Sequence, residues 1–211
     1  MKVAILSESS ADEAALNVFV GAILGEPIET YEPHLRSRGF TSVLQVLPAV
    51  LKELHYKRSA DALVVVVDSD NSTIHQPAHE AADSLEPTCR FCQIHSVIEA
   101  TRQQLRPIPH LPPINTAIAV PTPSIEAWYL FGVDPNCTEA GWSLKRSSKI
   151  SAVGEIRRLK TMAYGTGRPA LQLETAQAIA HAKRLIASID QLEAFFPNSF
   201  GILASSVRGW P

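Results

Sequence analysis

The sequence has few cysteines, no long apolar run and a modest fraction of charged residues. It has only three cysteines in 211 residues, which argues against a disulfide framework. No apolar run approaches the ~20 residues of a membrane span, and Lys2 precedes a short apolar strand rather than the apolar segment of a signal peptide. Charged residues make up 19% of the chain and hydrophobic residues 45%, which excludes a largely disordered protein. We therefore expect a cytoplasmic globular protein without a membrane partner.

Strands and helices are predicted to alternate through the first part of the chain. Short apolar runs predict strands at residues 3–6, 28–31, 62–67 and 114–120, and apolar residues at helical spacing predict helices at 11–24, 40–56 and 91–105. From Gly132 onward the pattern predicts helices only, at 148–162, 174–188 and 191–195. The expected fold class is α/β. A mostly parallel sheet flanked by helices would occupy residues 1–132, and a basic helical extension packed on it would occupy residues 133–211.

Acidic residues follow three of the predicted strands, at the point where each strand ends. Glu8 and Asp12 follow the first strand, Asp68 and Asp70 follow the most apolar one, and Glu126 follows the last. The carboxyl ends of parallel strands meet at one edge of a sheet, where open α/β sheets bind their ligands. Five carboxylates gathered there would repel one another unless hard cations were bound between them. The sequence therefore predicts a Mg²⁺ or Mn²⁺ site built from distant parts of the chain.

The order of these motifs resembles the TOPRIM domain of the overcoming-lysogenization-defect nucleases. The motifs are strand–Glu-x3-Asp–helix, strand–Asp-x-Asp and strand–Ser-x-Glu–helix, and the resemblance covers residues 1–132. The sequence Pro-Ser-Ile-Glu-Ala-Trp at residues 123–128 also resembles small stand-alone TOPRIM-like proteins of bacteria, many of them associated with phage defence. The resemblance implies a TOPRIM-like sheet and a two-metal site that hydrolyses phosphodiester bonds of DNA or RNA.

The resemblance also implies a role for each residue of these motifs. Glu8, Asp68 and Asp70 would hold one ion, and Asp12 and Glu126 would complete a second site. Ser124 would orient Glu126 or a metal-bound water. A lysine would stabilise the charge of the transition state, and the candidates are Lys160 and Lys149.

Two features depart from the family pattern. Ser9 stands where the family has glycine, so the turn must be made without the freedom of a positive φ angle, or Ser9 must bear strain. No G-x4-G-K-[ST] sequence is present, so the chain lacks the ATPase half of these proteins. A nuclease of this kind would act without its own ATP hydrolysis or depend on a partner ATPase.

The basic residues are concentrated in one segment. Residues 145–184 hold nine lysines and arginines against two glutamates, although the net charge of the whole chain is −2. An acidic centre followed by a basic segment suits a metal site that handles a nucleic acid. The alternative is a pair of solvated helices whose charged side chains face water.

A second group of metal-binding residue types lies between the Asp-x-Asp motif and the last predicted strand. Cys89 and Cys92 have the spacing of a zinc knuckle, and His75 and His79 stand upstream at i and i+4. The histidine pair lacks the usual zinc-finger spacing. The sequence therefore favours core and loop roles for these four residues over a structural Zn²⁺.

Three classes of function remain open. The leading one is a divalent-metal-dependent nuclease, and the second is a TOPRIM-like module that has lost catalysis and binds nucleic acid or protein. The third is a phosphatase or sugar-nucleotide transferase that uses Asp68 and Asp70. It is weakened because the nucleophile of haloacid-dehalogenase-like phosphatases follows the first strand, whereas this Asp-x-Asp follows a central one.

Overall fold

The fold is built on one parallel sheet. The structure, a computed structural model, describes residues 1–33, 35, 38–79, 86–148 and 150–211. Within these ranges four strands pair in the order β2-β1-β3-β4, all parallel. They are β1 (Lys2–Leu6), β2 (Glu29–Tyr31), β3 (Ala62–Val66) and β4 (Asn115–Ala119). The predicted α/β class with a parallel sheet is confirmed.

Helices connect the strands and make up the C-terminal part of the chain. They are α1 (Ser10–Leu24), α2 (Phe40–Lys57), α3 (Arg90–Gln104), α4 (Glu126–Tyr129), α5 (Glu139–Ser147), α6 (Ala152–Tyr164), α7 (Leu171–Leu185), α8 (Ile189–Phe195) and α9 (Ile202–Arg208). Among the described residues, none of these helices is both long and apolar enough to cross a membrane.

Alternate residues of the strands pack against different sets of helices. On one face Ala4, Leu63 and Val65 form a core with α2 and α3. On the other face Ile5 and Val64 form a core with α1, α4 and the C-terminal helices α6 to α9. Every residue of β3 is buried, as expected for a central parallel strand covered on both faces. Residues of the C-terminal segment thus lie in the same core as the strands.

The predicted helices of the C-terminal segment need three corrections. The helix predicted at 148–162 is wrong in its first turn, because α5 ends at Ser147 and α6 begins at Ala152. Helix α5 itself was not predicted, since Trp142 is its one buried hydrophobic residue and a single residue gives no periodicity. Helix α9 was also missed. It follows a π-helical turn, Pro197–Gly201, which shifts the phase of the apolar pattern.

The turn after Glu8 requires no glycine. Ser9 has an extended backbone (φ −146°, ψ 150°), and its hydroxyl accepts a hydrogen bond from the Asp12 amide at 3.3 Å. Ser9 is therefore the N-cap of α1, and the departure from the family pattern produces no backbone strain at this position.

The cap of α1 gives a stability prediction. Replacing Ser9 with Ala removes the acceptor for the Asp12 amide, so we expect the free energy of unfolding to fall by about 1 kcal/mol. Ser10→Ala is the matched control, because Ser10 is exposed and makes no cap hydrogen bond with a described residue. Urea denaturation of both variants measures the difference. Equal losses in the two would contradict the capping role.

Candidate functional site

The loops after β1, β3 and β4 meet at the carboxyl edge of the sheet. The Asp68 amide donates a hydrogen bond to Glu8 Oε1 at 3.2 Å, and the Ile125 amide donates one to Asp68 Oδ1 at 2.9 Å. The Ser69 amide donates to the Pro121 carbonyl at 2.8 Å. Backbone groups thus bind the Asp-x-Asp loop to both neighbouring loops, and the three acidic motifs lie side by side.

Three of the acids form a group that is here called the inner carboxylates, in which Glu126 is buried and the other two are half-buried: Asp12, Asp68 and Glu126. Burial raises the pKa of Asp12 to about 8, and the negative charge of Glu126 adds to the effect. Burial also raises the pKa of Asp68 well above its usual range, and the charges of Glu126, Asp12 and Glu8 reinforce it. The raised pKa values mean that both aspartates hold their protons more tightly than usual, and a bound cation would take the place of those protons.

Glu126 is held by hydroxyl groups and a lysine. Its side chain is 1% exposed. Ser124 donates a hydrogen bond to Glu126 Oε2 at 2.5 Å, and the Tyr164 hydroxyl donates one to Oε1 at 3.2 Å. Lys160 Nζ lies 3.6 Å from the same Oε1. Ser124 therefore fixes the orientation of Glu126.

Lys160 contacts two acids, Glu126 of the inner carboxylates and Glu174. Its Nζ atom lies 3.7 Å from Glu174 Oε1, a residue that the sequence did not place in the site. Burial lowers the pKa of Lys160, but the charges of Glu126 and the neighbouring acids outweigh burial and raise it. Lys160 therefore remains positively charged beside Glu126. Lys149, the other candidate lysine, lies outside the described residues.

The remaining two acids, Glu8 and Asp70, are bridged by Arg90 and are here called the outer carboxylates. The guanidinium lies 2.8 Å from Asp70 Oδ2 and 3.7 Å from Glu8 Oε1, and it also donates to the carbonyl of Asp68. It stacks over the Phe40 ring, 4.5 Å from the ring centroid. Burial raises the pKa of Glu8, and Arg90 partly offsets this. Sequence analysis missed Arg90, because a lone arginine after a cysteine has no recognisable motif.

The inner carboxylates fit a hydrated hard cation. Carboxylate oxygens are the protein ligands that Mg²⁺ and Mn²⁺ prefer, and Mg²⁺ usually keeps several waters. The hydroxyl of Tyr129 is buried and has no hydrogen-bond partner within the described part of the chain. Its pKa is raised by burial and by the charges of Asp12, Glu126 and Asp68, so it lies near all three. The Tyr129 hydroxyl therefore lies near carboxylates to which it donates no hydrogen bond, as expected if an ion and its waters bind between them.

The cysteines and histidines named from the sequence also come together. His75, His79, Cys89 and Cys92 have their ligand atoms within 4.8 Å of one another. Of the described histidines, cysteines and acids, these four are the group compact enough to hold an ion without rearrangement. The carboxylate oxygens at the edge of the sheet do not converge this closely, so a cation there would need bridging waters or a small movement of the side chains.

Several basic residues of the segment 145–184 pair within the protein. Lys145 and Arg158 both contact Glu155 at 2.7 Å, and Arg146 donates to the Ser72 carbonyl at 2.9 Å. Arg184 donates to the carbonyls of Phe131 and Tyr129, whereas three others are exposed and form neither an ion pair nor a side-chain hydrogen bond with any described residue: Arg157, Arg168 and Lys183. The surface available to a polyanion is therefore smaller than the charge count of the segment indicates.

Comparison of the chain with protein-family models, curated proteins and solved structures finds no match. The functional argument therefore rests on the geometry of the site.

The raised pKa values predict how stability depends on pH. Asp12 titrates at about 8 in the folded protein, against an ordinary value of 3.8, so the folded state holds a proton that the unfolded chain has lost between these values. We expect the melting temperature of the metal-free protein to fall as the pH rises through this window. Asp12→Asn should make the melting temperature less dependent on pH. Asp190→Asn is the control, because the Asp190 side chain is 98% exposed, and it should leave the pH dependence unchanged.

A divalent cation should oppose this loss of stability, since it competes with protons for the same oxygens. We expect millimolar Mg²⁺ to raise the melting temperature more at pH 8 than at pH 5, and to lose most of this effect in Asp12→Asn. Differential scanning calorimetry measures both dependences. A melting temperature of the metal-free protein that rises from pH 5 to pH 8 would contradict the assignment.

Proposed function

We propose that the protein is a divalent-metal-dependent nuclease, which hydrolyses phosphodiester bonds of DNA or RNA at the acidic edge of a TOPRIM-like sheet. One observation carries this proposal: three carboxyl groups, of which Glu126 is buried and Asp12 and Asp68 have raised pKa values, lie beside a lysine that stays protonated. A cation would relieve the repulsion among the acids, and the lysine would face a bound phosphate. The four parallel strands are compatible with the TOPRIM arrangement implied by the motif order.

The contacts of Arg90 favour a particular assignment of ligands. The resemblance implies that Glu8, Asp68 and Asp70 hold the first ion, but the outer carboxylates are already paired with Arg90. We therefore assign the first Mg²⁺ or Mn²⁺ to the inner carboxylates Asp12, Asp68 and Glu126. A second ion would have to displace Arg90. When bound, the cation would activate water and offset the charge of the phosphate.

Ser124, Tyr164 and Lys160 contact Glu126, one of the inner carboxylates. Ser124 and Tyr164 hold Glu126 in a fixed orientation, because each donates a hydrogen bond to a different oxygen of its carboxylate. Lys160 brings a positive charge next to Glu126, where it would stabilise negative charge that builds up on the phosphate. Ser124 thus acts as a positioning residue, whereas Lys160 is proposed to contact the substrate.

A groove beside the site offers a path for the nucleic acid. It has a volume of about 480 Å³, within the ~300–1,000 Å³ of small-molecule sites. Asp70 and Arg90 line it on one side, and Ala152, Val153 and Ile156 of α6 line it on the other. Arg157 follows on the same helix, is exposed, and lies three residues from Lys160. An extended phosphate backbone could therefore contact Arg157 while a phosphate lies near Lys160.

The alternative functions receive less support from the same contacts. A transferase or phosphatase that uses Asp68 and Asp70 needs both carboxylates available, whereas Asp70 is paired with Arg90. A module without catalysis was considered because of Ser9, but Ser9 adopts an unstrained extended conformation. Regulation by a partner ATPase and a role in phage defence remain part of the proposal, implied by the resemblance alone.

Catalysis is tested by replacing Asp68 and Lys160. Asp68→Asn keeps the acceptor for the Ile125 amide but removes a charge that holds the cation, so cleavage should be lost. Lys160→Ala should slow cleavage by about 10²–10³-fold with little change in metal affinity, because its role concerns the transition state. The assay is nicking of supercoiled plasmid and cleavage of labelled RNA with Mg²⁺ or Mn²⁺.

Two controls make the result interpretable. Lys52→Ala changes an exposed lysine of α2, on the opposite face of the sheet from Lys160, and should cleave like the unmodified protein. Equal activity of Asp68→Asn and the unmodified protein would reveal a contaminating nuclease. Absence of cleavage in every protein would favour the binding module, and release of phosphate from small phosphoesters would favour the phosphatase.

Nucleic-acid binding is tested through its dependence on salt. If Arg157 contacts a phosphate, Arg157→Ala should lower affinity and reduce the slope of log K against log salt concentration by about 1. Lys52→Ala is the control, because Lys52 is exposed on α2, which packs on the opposite face of the sheet from α6. Fluorescence anisotropy at several salt concentrations measures both slopes. An affinity that does not change with salt would contradict polyanion binding.

A further inference from the structure

We propose that His75, His79, Cys89 and Cys92 bind one structural Zn²⁺. These four residues lie outside the acidic site, and the proposal does not depend on nuclease activity. The chain brings them together from the loop that follows the Asp-x-Asp motif and from the start of α3. The ligand set of two thiols and two imidazoles is one that Zn²⁺ commonly takes in structural sites.

The distances within the group match tetrahedral coordination. Cys89 Sγ and Cys92 Sγ each lie 3.6 Å from His75 Nδ1, and Cys92 Sγ lies 3.9 Å from His79 Nδ1. In a tetrahedral site with Zn–S bonds of about 2.3 Å and Zn–N bonds of about 2.0–2.1 Å, sulfur and nitrogen ligands lie about 3.6 Å apart. A hydrogen bond does not explain the pattern, because one ring nitrogen faces two sulfurs at the same distance.

The backbone around Cys89 favours a thiolate ligand. Cys89 is the N-cap of α3, and Cys92 lies in the first turn of that helix. A helix N-terminus stabilises negative charge on sulfur. The local structure thus suits coordination by Cys89 in the form that binds zinc.

Packing holds the histidines in place. The His75 ring stacks on Phe91, with ring centroids 3.9 Å apart, and meets the His79 ring edge to face at 5.4 Å. His75, Cys89 and Cys92 are buried, so solvent has little access to the ion. A closed set of four protein ligands is characteristic of structural rather than catalytic zinc.

The position of the group suggests what the ion stabilises. Cys89 directly precedes Arg90, which bridges the outer carboxylates Glu8 and Asp70. The described part of the segment between Asp70 and Arg90 contains one short 3₁₀ helix, Pro77–His79, as its regular structure. Binding of Zn²⁺ would fasten this segment to the start of α3, and it would thereby hold Arg90 in position.

The first experiment measures metal in the full-length protein purified without added chelator. We expect about one zinc per chain by elemental analysis, and Co²⁺ exchanged into the protein should give the visible and near-ultraviolet absorption of a tetrahedral thiolate site. Cys92→Ser and His79→Asn should each lower zinc affinity by at least about tenfold. Cys137→Ser and His95→Asn are the matched controls, because neither residue belongs to the group, and both should retain zinc.

Further measurements keep the test valid if a ligand variant does not fold. Chelation of zinc from the unmodified protein should lower its melting temperature and speed hydrogen exchange in the first turn of α3, and added Zn²⁺ should restore both. Asp68→Asn should retain the cobalt–thiolate spectrum, which separates this ion from one at the inner carboxylates. A chain that purifies without zinc, gives no cobalt–thiolate absorption and melts identically with and without Zn²⁺ would overturn the proposal.

Discussion

Repulsion between carboxylates at the carboxyl edge of the sheet is the constraint on which the rest of the site depends. Parallel pairing of β1, β3 and β4 forces three acidic loops to the same edge. Asp12, Asp68 and Glu126 then lie close together, and loss of solvent with mutual repulsion raises the pKa of both aspartates. A group of this kind destabilises the folded protein at neutral pH unless positive charge is supplied. The surrounding contacts supply that charge only in part.

Two helices bring cations to this edge from opposite faces of the sheet. Arg90 at the start of α3 neutralises the outer carboxylates, and Lys160 of α6 contacts the innermost acid, Glu126. The C-terminal helices are therefore needed for the site as well as for the core, since they supply Lys160, Tyr164 and Glu174. Arg90 pairs with the outer carboxylates and not with the inner ones, which is why we assign the cation to the inner carboxylates. The proposed zinc site would hold Arg90 in position, and Arg90 neutralises the outer carboxylates Glu8 and Asp70.

The sequence was sufficient for the sheet and for the acids at its edge, because both follow from local patterns. Buried parallel strands leave continuous apolar runs such as residues 62–67, and topology then sets where Asp68 and its neighbours must lie. Contacts between side chains distant in sequence were not predictable. Arg90 meets Glu8, and Tyr164 meets Glu126, with no spacing that marks either pair. Helix α5 was missed because it buries a single hydrophobic residue, and α9 was missed because the π-helical turn before it shifts the apolar pattern. The zinc ligands were identified by type, but only the folded loop shows that their atoms converge.

The most direct test of the central claim is a crystal structure of the protein soaked with Mn²⁺, with data collected to locate manganese by its anomalous scattering. We predict a peak bonded to oxygens of Asp12, Asp68 and Glu126, with Arg90 still bridging Glu8 and Asp70. The same soak of Asp68→Asn should lose the peak. Crystals of the unmodified protein that show no manganese at the acidic edge, at a concentration that saturates other Mn²⁺ enzymes, would contradict the account.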